Sequence, residues 1–426
     1  MHKRTKTPNN INWDKLFKKY KILAKIKENE YFIISAKTIK EFREPRLMVK
    51  FDHKKDLPKI FIDHNLAILP VANGKYIISQ FDAYQTLETS NKDSVQKIKL
   101  SADIQSFNNI FSETIALNYA FAAGIFDDFL NDGKLYQTVS GKMLSGKFEF
   151  NINTDKQPLN IIVDNARLEI DAAIEGDNSL ALIEAKLDVP EDFIIRQLYY
   201  PYRLWITHVS KQIRPIFFSY SNSIFRLYEY KFNNTQEYNS LKLVKQKKYS
   251  IEDTEITIDE IDEFYNNQVC VQLEPSKIPF PQADSFPRII VLCEMLSAQN
   301  LNSGNITEKF AFTPRQTQYY TSAGRYLGLI EKRKNSFYAL TEQGRKIMRL
   351  NYKEKQFAFC KCILQHEVFY EAFKIVLSGN EPQTENIISI MKNTKSCRLN
   401  TDEMYKRRAE TIKAWIKWIY NLSGER

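Results

Sequence analysis

The 426-residue sequence predicts a multidomain protein of the mixed α/β (α+β) class. A chain of this length is too long for one hydrophobic core. Before residue 275, short apolar strand candidates alternate with amphipathic helices, whereas the part after Pro287 is mostly helical. Pro275, Pro279, Pro281 and Pro287 lie between the two parts, and closely spaced prolines interrupt regular structure. We therefore expect the main domain boundary at this segment.

Composition and charge narrow the class of protein. Hydrophobic residues make up 43% of the chain, which is typical of a globular protein, and no apolar run is long enough to span a membrane. The five cysteines form no regular framework and the basic N-terminus lacks the apolar core of a signal peptide, so we expect a cytoplasmic protein. The net charge of +10 favours a polyanionic partner.

Residues 1–95 predict an N-terminal α/β domain that could contribute DNA contacts. A basic amphipathic helix from Trp13 to Ile26 comes first. Four strand candidates follow it: YFIIS (31–35), KIFI (59–62), LAILPV (66–71) and KYIIS (75–79).

Residues 96–274 predict a second domain built around a β-hairpin. The other expected elements are a helix at 107–130, strands at 148–152 and 160–163, a helix from about Pro190, and strands at 215–220 and 224–232.

The hairpin, residues 167–189, carries charged residues inside two apolar runs. The sequence Gly176-Asp177-Asn178-Ser179 is typical of a tight turn between antiparallel strands. With Asp177 and Asn178 as the loop, Asp171 lies opposite Glu184 and Glu169 lies opposite Lys186. Directly opposed residues have Cβ atoms about 5 Å apart. This register predicts three carboxylates and one ammonium group on one patch.

Two interpretations of this patch remain open. Carboxylates held this close repel one another unless a cation lies between them, and hard oxygen ligands suit Mg²⁺. Asp171, Glu184 and Glu169 would then bind the metal, while Lys186 would position a water molecule and offset negative charge in the transition state. The alternative is an exposed hairpin face with two cross-strand ion pairs.

Two neighbouring helices offer further candidate residues. In the helix from Pro190, the residues Ile194, Leu198, Tyr202 and Trp205 form an apolar stripe, which leaves Arg196, Gln197, Tyr200 and Arg203 on other faces. That helix either contributes to the site or merely covers the sheet. In the helix at 107–130, Glu113 interrupts an apolar stripe. It is either paired or functional, or it belongs to a capping box.

Asp171 followed by Glu184-Ala185-Lys186 at the end of the next strand resembles the signature of PD-(D/E)xK nucleases, with Ile170 in place of the proline. The resemblance implies catalytic roles for Asp171, Glu184 and Lys186. Gln197 resembles the glutamine of the QxxxY feature in some of these nucleases, although Pro201 stands at the tyrosine position. Many members of the family draw a further acid from an earlier helix, which would be Glu113 here.

A longer resemblance joins REPRLMVKFDH (43–53), SGKFEF (145–150), LEIDAAIEG and IRQLYYPYRLW, over roughly residues 10–210. In this order they resemble type II restriction endonucleases of the PD-(D/E)xK superfamily. The resemblance implies Mg²⁺-dependent cleavage of double-stranded DNA at a specific sequence, in a prokaryotic restriction-modification system. We expect a homodimer, and a cognate methyltransferase that acts on the same DNA site without necessarily binding this chain. Arg46, Arg196 and Arg203 are candidate DNA contacts.

Residues 275–350 predict a DNA-binding domain, and residues 351–426 a helical tail. An amphipathic helix (FPRIIVLCEMLSAQN) and a short second helix (ITEKFAF) precede Thr313-Pro314, which predicts the start of a third helix, and IEKRKNSFYALTEQG predicts a hairpin. This order resembles a winged helix-turn-helix. Its recognition helix would read bases and its wing would contact phosphates; the candidates are Arg315, Gln316, Gln318 and Tyr319 on the helix and Lys332, Arg333 and Lys334 on the wing. A dimerising or supporting role is the alternative.

Three functions are consistent with these patterns. The leading hypothesis is a type II site-specific deoxyribonuclease. A DNA repair or recombination nuclease that recognises DNA structure is the second. The third is a winged-helix transcription regulator with an inactive nuclease fold, but the presence of Asp171, Glu184 and Lys186 together favours an enzyme.

Overall fold

The computed structural model describes residues 8–88, 94–100, 104, 110, 112–275, 278–310, 312–333, 336–394 and 401–424. Its helices are α1 Pro8–Tyr20, α2 Ile22–Asn29, α3 Ala36–Lys40, α4 Pro45–Val49, α5 Lys59–Asp63, α6 Glu113–Ala122, α7 Ile125–Leu130, α8 Arg196–Trp205, α9 Ile258–Gln268, α10 Phe286–Ala298, α11 Ser303–Lys309, α12 Pro314–Tyr326, α13 Glu342–Met348, α14 Tyr352–Leu364, α15 Glu367–Leu377, α16 Thr384–Asn393 and α17 Asp402–Tyr420.

Its strands are β1 Tyr31–Ser35, β2 Ala67–Ala72, β3 Lys75–Ser79, β4 Tyr84–Thr86, β5 Val95–Lys97, β6 Tyr136–Gln137, β7 Gly141–Leu144, β8 Lys147–Ile152, β9 Leu159–Asp164, β10 Arg167–Ile170, β11 Ala172–Glu175, β12 Ser179–Lys186, β13 Asp192–Ile194, β14 Gln212–Ser221, β15 Ile224–Phe232, β16 Leu241–Ser250, β17 Leu301–Asn302, β18 Ile330–Lys332 and β19 Phe337–Leu340. Several sheets together with many helices confirm the mixed α/β class. No helix in the described ranges is long and apolar enough to cross a bilayer.

The chain divides into two compact units. The first comprises residues 1–93, 116–220 and 225–248, and the second comprises residues 94–115, 221–224 and 249–426. The predicted ranges 1–95 and 96–274 contribute to one hydrophobic core in the first unit, since Leu69 and Leu182 both belong to it. The predicted ranges 275–350 and 351–426 likewise share a core in the second unit, which contains both Phe286 and Trp415.

The N-terminal part of the first unit packs helices beside a five-stranded sheet of order β1-β3-β2-β9-β8. The predicted strands at 31–35, 66–71 and 75–79 are confirmed as β1, β2 and β3. The predicted strand at 59–62 is wrong, because these residues form α5, where Phe61 is fully buried with its ring 4.8 Å from that of Trp13. Four apolar residues do not distinguish a short buried helix from a strand.

Two predicted helices are each divided by a residue with positive φ. The helix expected from Trp13 to Ile26 is interrupted at Lys21, where φ is 50°, so α1 and α2 are separate. The helix expected at 107–130 appears as α6 and α7, with Gly124 between them at a φ of 75°. Residues 107–109 and 111 of that prediction lie outside the described residues.

The larger sheet of the first unit contains the strands β16-β15-β14-β12-β11-β6, in that order. β12 pairs with β11 in the antiparallel and with β14 in the parallel direction. Seven consecutive residues of β12, from Ser179 to Ala185, are buried. An uninterrupted buried run of this kind is typical of a strand that is covered on both faces of its sheet.

Asp132 fixes the turn between β11 and β12. Its carboxylate accepts hydrogen bonds from the main-chain N–H groups of Asn178 (3.0 Å) and Ser179 (2.8 Å), and from the Ser179 hydroxyl (2.6 Å). Gly176 permits this approach, since a Cβ there would lie 2.5 Å from the Asp132 carbonyl oxygen. Burial acts to raise the pKa of Asp132, but the hydrogen bonds from Ser179 and Asn178 outweigh it and hold the pKa below its ordinary value.

The second unit contains a three-stranded sheet of order β17-β19-β18, with α10, α11 and α12 in the same stretch of chain. The predicted start of α12 is confirmed. Thr313 caps the helix with Pro314 in its first turn, and Gln316 completes a capping box. Helix α17 joins the same core, where the Trp415 indole donates a hydrogen bond to the Ala283 carbonyl oxygen at 2.7 Å.

Replacing Asp132 by Ala should lower the free energy of unfolding by about 2 kcal/mol, because buried N–H donors of Asn178 and Ser179 lose a charged acceptor. A carboxyl group whose pKa is depressed by folding stabilises the fold above its unfolded pKa and ceases to do so as the pH falls through its folded pKa. The difference between the two proteins should therefore shrink below about pH 4. Denaturant unfolding across pH measures both effects. Replacing the exposed Asp155 by Ala is the control, and an equal loss in that variant would contradict the role of Asp132.

Candidate active site

The candidate site lies where the chain leaves one sheet for another at Asp171. β11 pairs with β12 from Ala172 opposite Ile183 to Glu175 opposite Leu180, which is the predicted hairpin register. β10, immediately before Asp171, pairs instead with β7. The predicted pairing of Glu169 with Lys186 is therefore wrong, since Glu169 lies opposite Lys142. A bend at Asp171 explains the difference, because it transfers the preceding residues to the other strand partner.

The Asp171 side chain is hydrogen-bonded to the main chain near the end of β12. Its Oδ2 atom accepts a hydrogen bond of 2.7 Å from the main-chain N–H of Ala185. Burial raises the pKa of Asp171, and the negative charge of Glu169 acts in the same direction, whereas the Ala185 N–H and Lys186 oppose them. Glu169 thus influences the site electrostatically although it belongs to a different strand pair.

Glu184 and Lys186 lie on the same face of β12, as alternate residues of a strand do. The Lys186 ammonium donates to the Glu184 carboxylate and, at 3.2 Å, to the Ala185 carbonyl oxygen. Gln197 from α8 donates a hydrogen bond of 2.5 Å to the same Glu184 oxygen that Lys186 contacts. These contacts fix the orientation of the carboxylate of a residue that is only 7% exposed.

The electrostatic environment of Glu184 is dominated by desolvation. Burial raises its pKa to about 7, with Asp171 and Asp52 adding to the rise and Lys186 opposing it. Removing an ionised carboxylate from water is costly unless a cation compensates for it. Lys186 is the cation in direct contact with Glu184, and it offsets only part of the cost of burying this carboxylate.

Asp52 is a member of the site that the sequence analysis missed. Its segment is tied to β13 by a hydrogen bond of 3.0 Å from the Ile194 N–H to the Asp52 carbonyl oxygen. Burial acts to raise the pKa of Asp52, but the positive charges of Lys186, Lys50 and Arg196 together hold it below its ordinary value. The sequence signal was the KFDH end of the 43–53 stretch, which resembled restriction endonucleases without indicating any role for this acid.

Helix α8 begins later than predicted. The expected start near Pro190 is wrong, because Asp192 to Ile194 form β13, which pairs with β4, and the helix starts at Arg196. Tertiary strand pairing overrides the favourable proline and acidic residues at the predicted start. The delayed start places Gln197 in the first turn of α8, and this helix packs against both β10 and β12.

The other candidates of the predicted nuclease part have different surroundings. Glu113 is the first residue of α6 and belongs to the second unit. Arg203 donates to the carbonyl oxygens of Glu149 and Thr235 and lies 5.0 Å from the Phe148 ring centroid, so its guanidinium is engaged within the fold. Arg46 is exposed on α4.

The candidate DNA-reading residues lie at one end of α12 and on the β18–β19 hairpin. Arg315, Gln316 and Gln318 are exposed, but the Gln316 side chain accepts a hydrogen bond of 2.9 Å from the Thr313 N–H as part of the cap. Lys332 and Arg333 are exposed at the end of β18. Lys334 lies outside the described residues.

The oxygen ligands needed by a hard cation are present in the site as the carboxylates of Asp171 and Glu184. Across the part of the chain that the structure describes, no group of three or more His, Cys, Asp or Glu side chains is arranged to hold a metal ion. Mg²⁺ retains several waters and is usually bound through only one or two carboxylates, so a pair of this kind fits its requirements.

Replacing Glu184 by Gln should stabilise the protein at alkaline pH. An acid whose pKa is raised by folding stabilises the fold below its unfolded pKa and loses this contribution as the pH rises through the folded pKa, here about 7. The variant should gain roughly 2 kcal/mol in unfolding free energy at about pH 8 and little at about pH 4. Chemical denaturation at both pH values measures it. The exposed Glu149, replaced in the same way, should show no such dependence, and a destabilised Glu184→Gln protein at pH 8 would contradict the argument.

Three protein families match parts of the chain. Residues 10–78 match DUF6996, residues 79–250 match DUF6997 and residues 288–424 match DUF7226, each of which is described as a domain of unknown function. No curated protein matches the chain, and no solved structure does. The site geometry therefore carries the functional argument.

Proposed function

We propose that the protein is a Mg²⁺-dependent endonuclease that hydrolyses phosphodiester bonds in double-stranded DNA at a specific sequence, as a type II restriction endonuclease does. One observation carries the proposal. Lys186 and Gln197 both donate to the Glu184 carboxylate, while Asp171 accepts from the N–H of the intervening Ala185. The residues of the PD-(D/E)xK signature thus occupy one small region, with a glutamine from the following helix.

The burial of this group argues against the alternative of an exposed hairpin with simple ion pairs. Side-chain exposure is 14% for Lys186 and 9% for Glu184. A buried ion pair is weak as a stabilising device, because the desolvation of both charges offsets their attraction. Carboxylates with strongly perturbed pKa values cluster at functional sites. Here Glu184 has two acidic neighbours, Asp171 and Asp52, which add to the rise in its pKa.

Each residue has a distinct role in the proposed reaction. Asp171 and Glu184 would hold Mg²⁺, which, when bound, activates water and neutralises charge on the phosphate. Lys186 would orient the attacking water and stabilise the negative charge that develops in the transition state. Gln197 is a positioning residue, since it holds the Glu184 carboxylate in place. Asp52 would balance part of the positive charge of Lys186.

The second unit supports DNA as the substrate. Its order of helix, short strand, two helices and hairpin, with the sheet order β17-β19-β18, is consistent with the winged helix that we propose for it. Arg315 and Gln318 are exposed on the N-terminal half of α12, where a recognition helix contacts base edges. The net charge of +10 favours binding to a polyanion.

Incubating the full chain with plasmid DNA and Mg²⁺ tests the function directly. Discrete fragments are expected for a sequence-specific enzyme. Cleavage only of branched or flapped DNA would replace the proposal by a repair or recombination nuclease. Specific binding without cleavage of either substrate would replace it by a DNA-binding regulator.

Asp171→Asn and Glu184→Gln should each abolish cleavage while DNA binding in Ca²⁺ persists, because each removes a carboxylate that would hold the metal. Binding could become tighter in both variants, since repulsion between the carboxylate and the DNA phosphates falls. Plasmid cleavage and gel-shift assays measure the two activities separately. Asp164→Asn, on the exposed end of β9, is the control and should cleave normally. Full cleavage by either site variant would overturn the metal assignment.

Lys186→Ala should lower the single-turnover cleavage rate by about 100-fold, as loss of one preorganised electrostatic group commonly does. DNA affinity should change far less, because the ammonium acts mainly in the transition state. Lys186→Arg should also be slow, since a planar guanidinium cannot replace a compact ammonium. The exposed Lys142, opposite Glu169, provides the matched alanine control. A near-native rate for Lys186→Ala would assign Lys186 a purely structural role.

A further inference from the structure

Two arginine side chains from different helices converge on the ring of Tyr319. Arg315, one turn earlier on α12, has its guanidinium carbon 5.3 Å from the ring centroid and also donates a hydrogen bond to the tyrosine hydroxyl. Arg407 from α17 places its guanidinium carbon 5.5 Å from the same centroid. All three residues belong to the second unit. Arg407 was not among the residues that the sequence predicted to contact DNA.

The two arginines of this cluster carry positive charges that no carboxylate of the described residues contacts at ion-pair distance. Both arginines are exposed, and among the described residues no ion pair involves either of them. Two guanidinium groups on one ring repel each other, and the tyrosine ring offsets only part of this cost through cation–π attraction. An anion that accepts hydrogen bonds from both groups would relieve the repulsion.

We propose that Arg315 and Arg407, held on Tyr319, form a clamp for one backbone phosphate of nucleic acid. The inference rests on the proposed DNA-binding function and extends it, because it makes α17 part of the DNA-binding surface. Guanidinium groups present forked donors that match phosphate oxygens, and stacking on an aromatic ring reduces the entropy that each side chain loses on binding.

Helix geometry favours a phosphate at this place. Arg315 is the second residue of α12, a helix of 13 residues, so the clamp lies beside the positive end of the helix dipole. Gln318, one residue before Tyr319, is exposed and carries an amide that can bond to a base edge. A phosphate fixed by Arg315 and Arg407 would set the register of α12 on the duplex, as backbone contacts commonly do.

The test measures binding of the full chain to a short duplex in Ca²⁺ at several salt concentrations. Arg407→Gln should weaken binding about 3- to 10-fold and reduce the slope of log affinity against log salt by about 1, the value expected for one lost phosphate contact. Arg407→Lys should restore the salt slope and only part of the affinity. Lys417→Gln, an exposed basic residue near the other end of α17, is the control and should match the wild type.

A double-mutant cycle distinguishes one shared phosphate from two separate contacts. If both arginines hold the same phosphate, the fold-loss of affinity in the double variant Arg315→Gln/Arg407→Gln should be clearly different from the product of the fold-losses in the two single variants. A fold-loss in the double variant that equals this product would overturn the shared clamp. Wild-type affinity in Arg407→Gln would overturn it too. Either result leaves cleavage by the wild type, and hence the proposed function, intact. Failure of the wild type to bind any DNA would instead overturn the proposed function itself.

Discussion

The hydrogen bond between the Asp171 carboxylate and the Ala185 N–H is the contact on which the geometry of the candidate site depends. At Asp171 the chain leaves the β7–β10 pair and joins β12, so its side chain is free to turn towards the neighbouring strand. A continuous strand would have directed this residue to one face of a single ladder. The bend instead brings the acid to the end of the strand that carries Glu184 and Lys186.

The site is formed at a cost to the fold. The carboxylate of the buried residue Glu184, whose pKa is raised to about 7, destabilises the folded state whenever it is ionised. Hydrogen bonds from Lys186 and Gln197 limit that cost without removing it, since Lys186 also compensates for Asp171 and Asp52. Such an arrangement is typical of functional sites, where stability is lower than an apolar replacement would give. The Asp132 network on the same hairpin acts in the opposite direction by fixing the turn.

Local sequence signals predicted the elements whose determinants are close in the chain. The turn at Asp177 and Asn178 set the hairpin register, and Thr313 with Pro314 set the start of α12. The predictions that were wrong involve strand partners that are distant in sequence. Glu169 pairs with β7 and residues 192–194 pair with β4, and neither partner can be deduced from periodicity. Asp52 was missed for the same reason, because it lies 119 positions before the first signature acid, Asp171.

The division of the chain into two units has a consequence for how the protein folds. Each unit is assembled from three separate stretches, and the second draws residues 94–115 together with residues 249–426. Closing so long a loop costs chain entropy before the stabilising contacts between its ends have formed. High contact order of this kind slows folding. The stretches of the two units therefore alternate along the sequence, and neither unit could be exchanged between proteins as a single continuous segment.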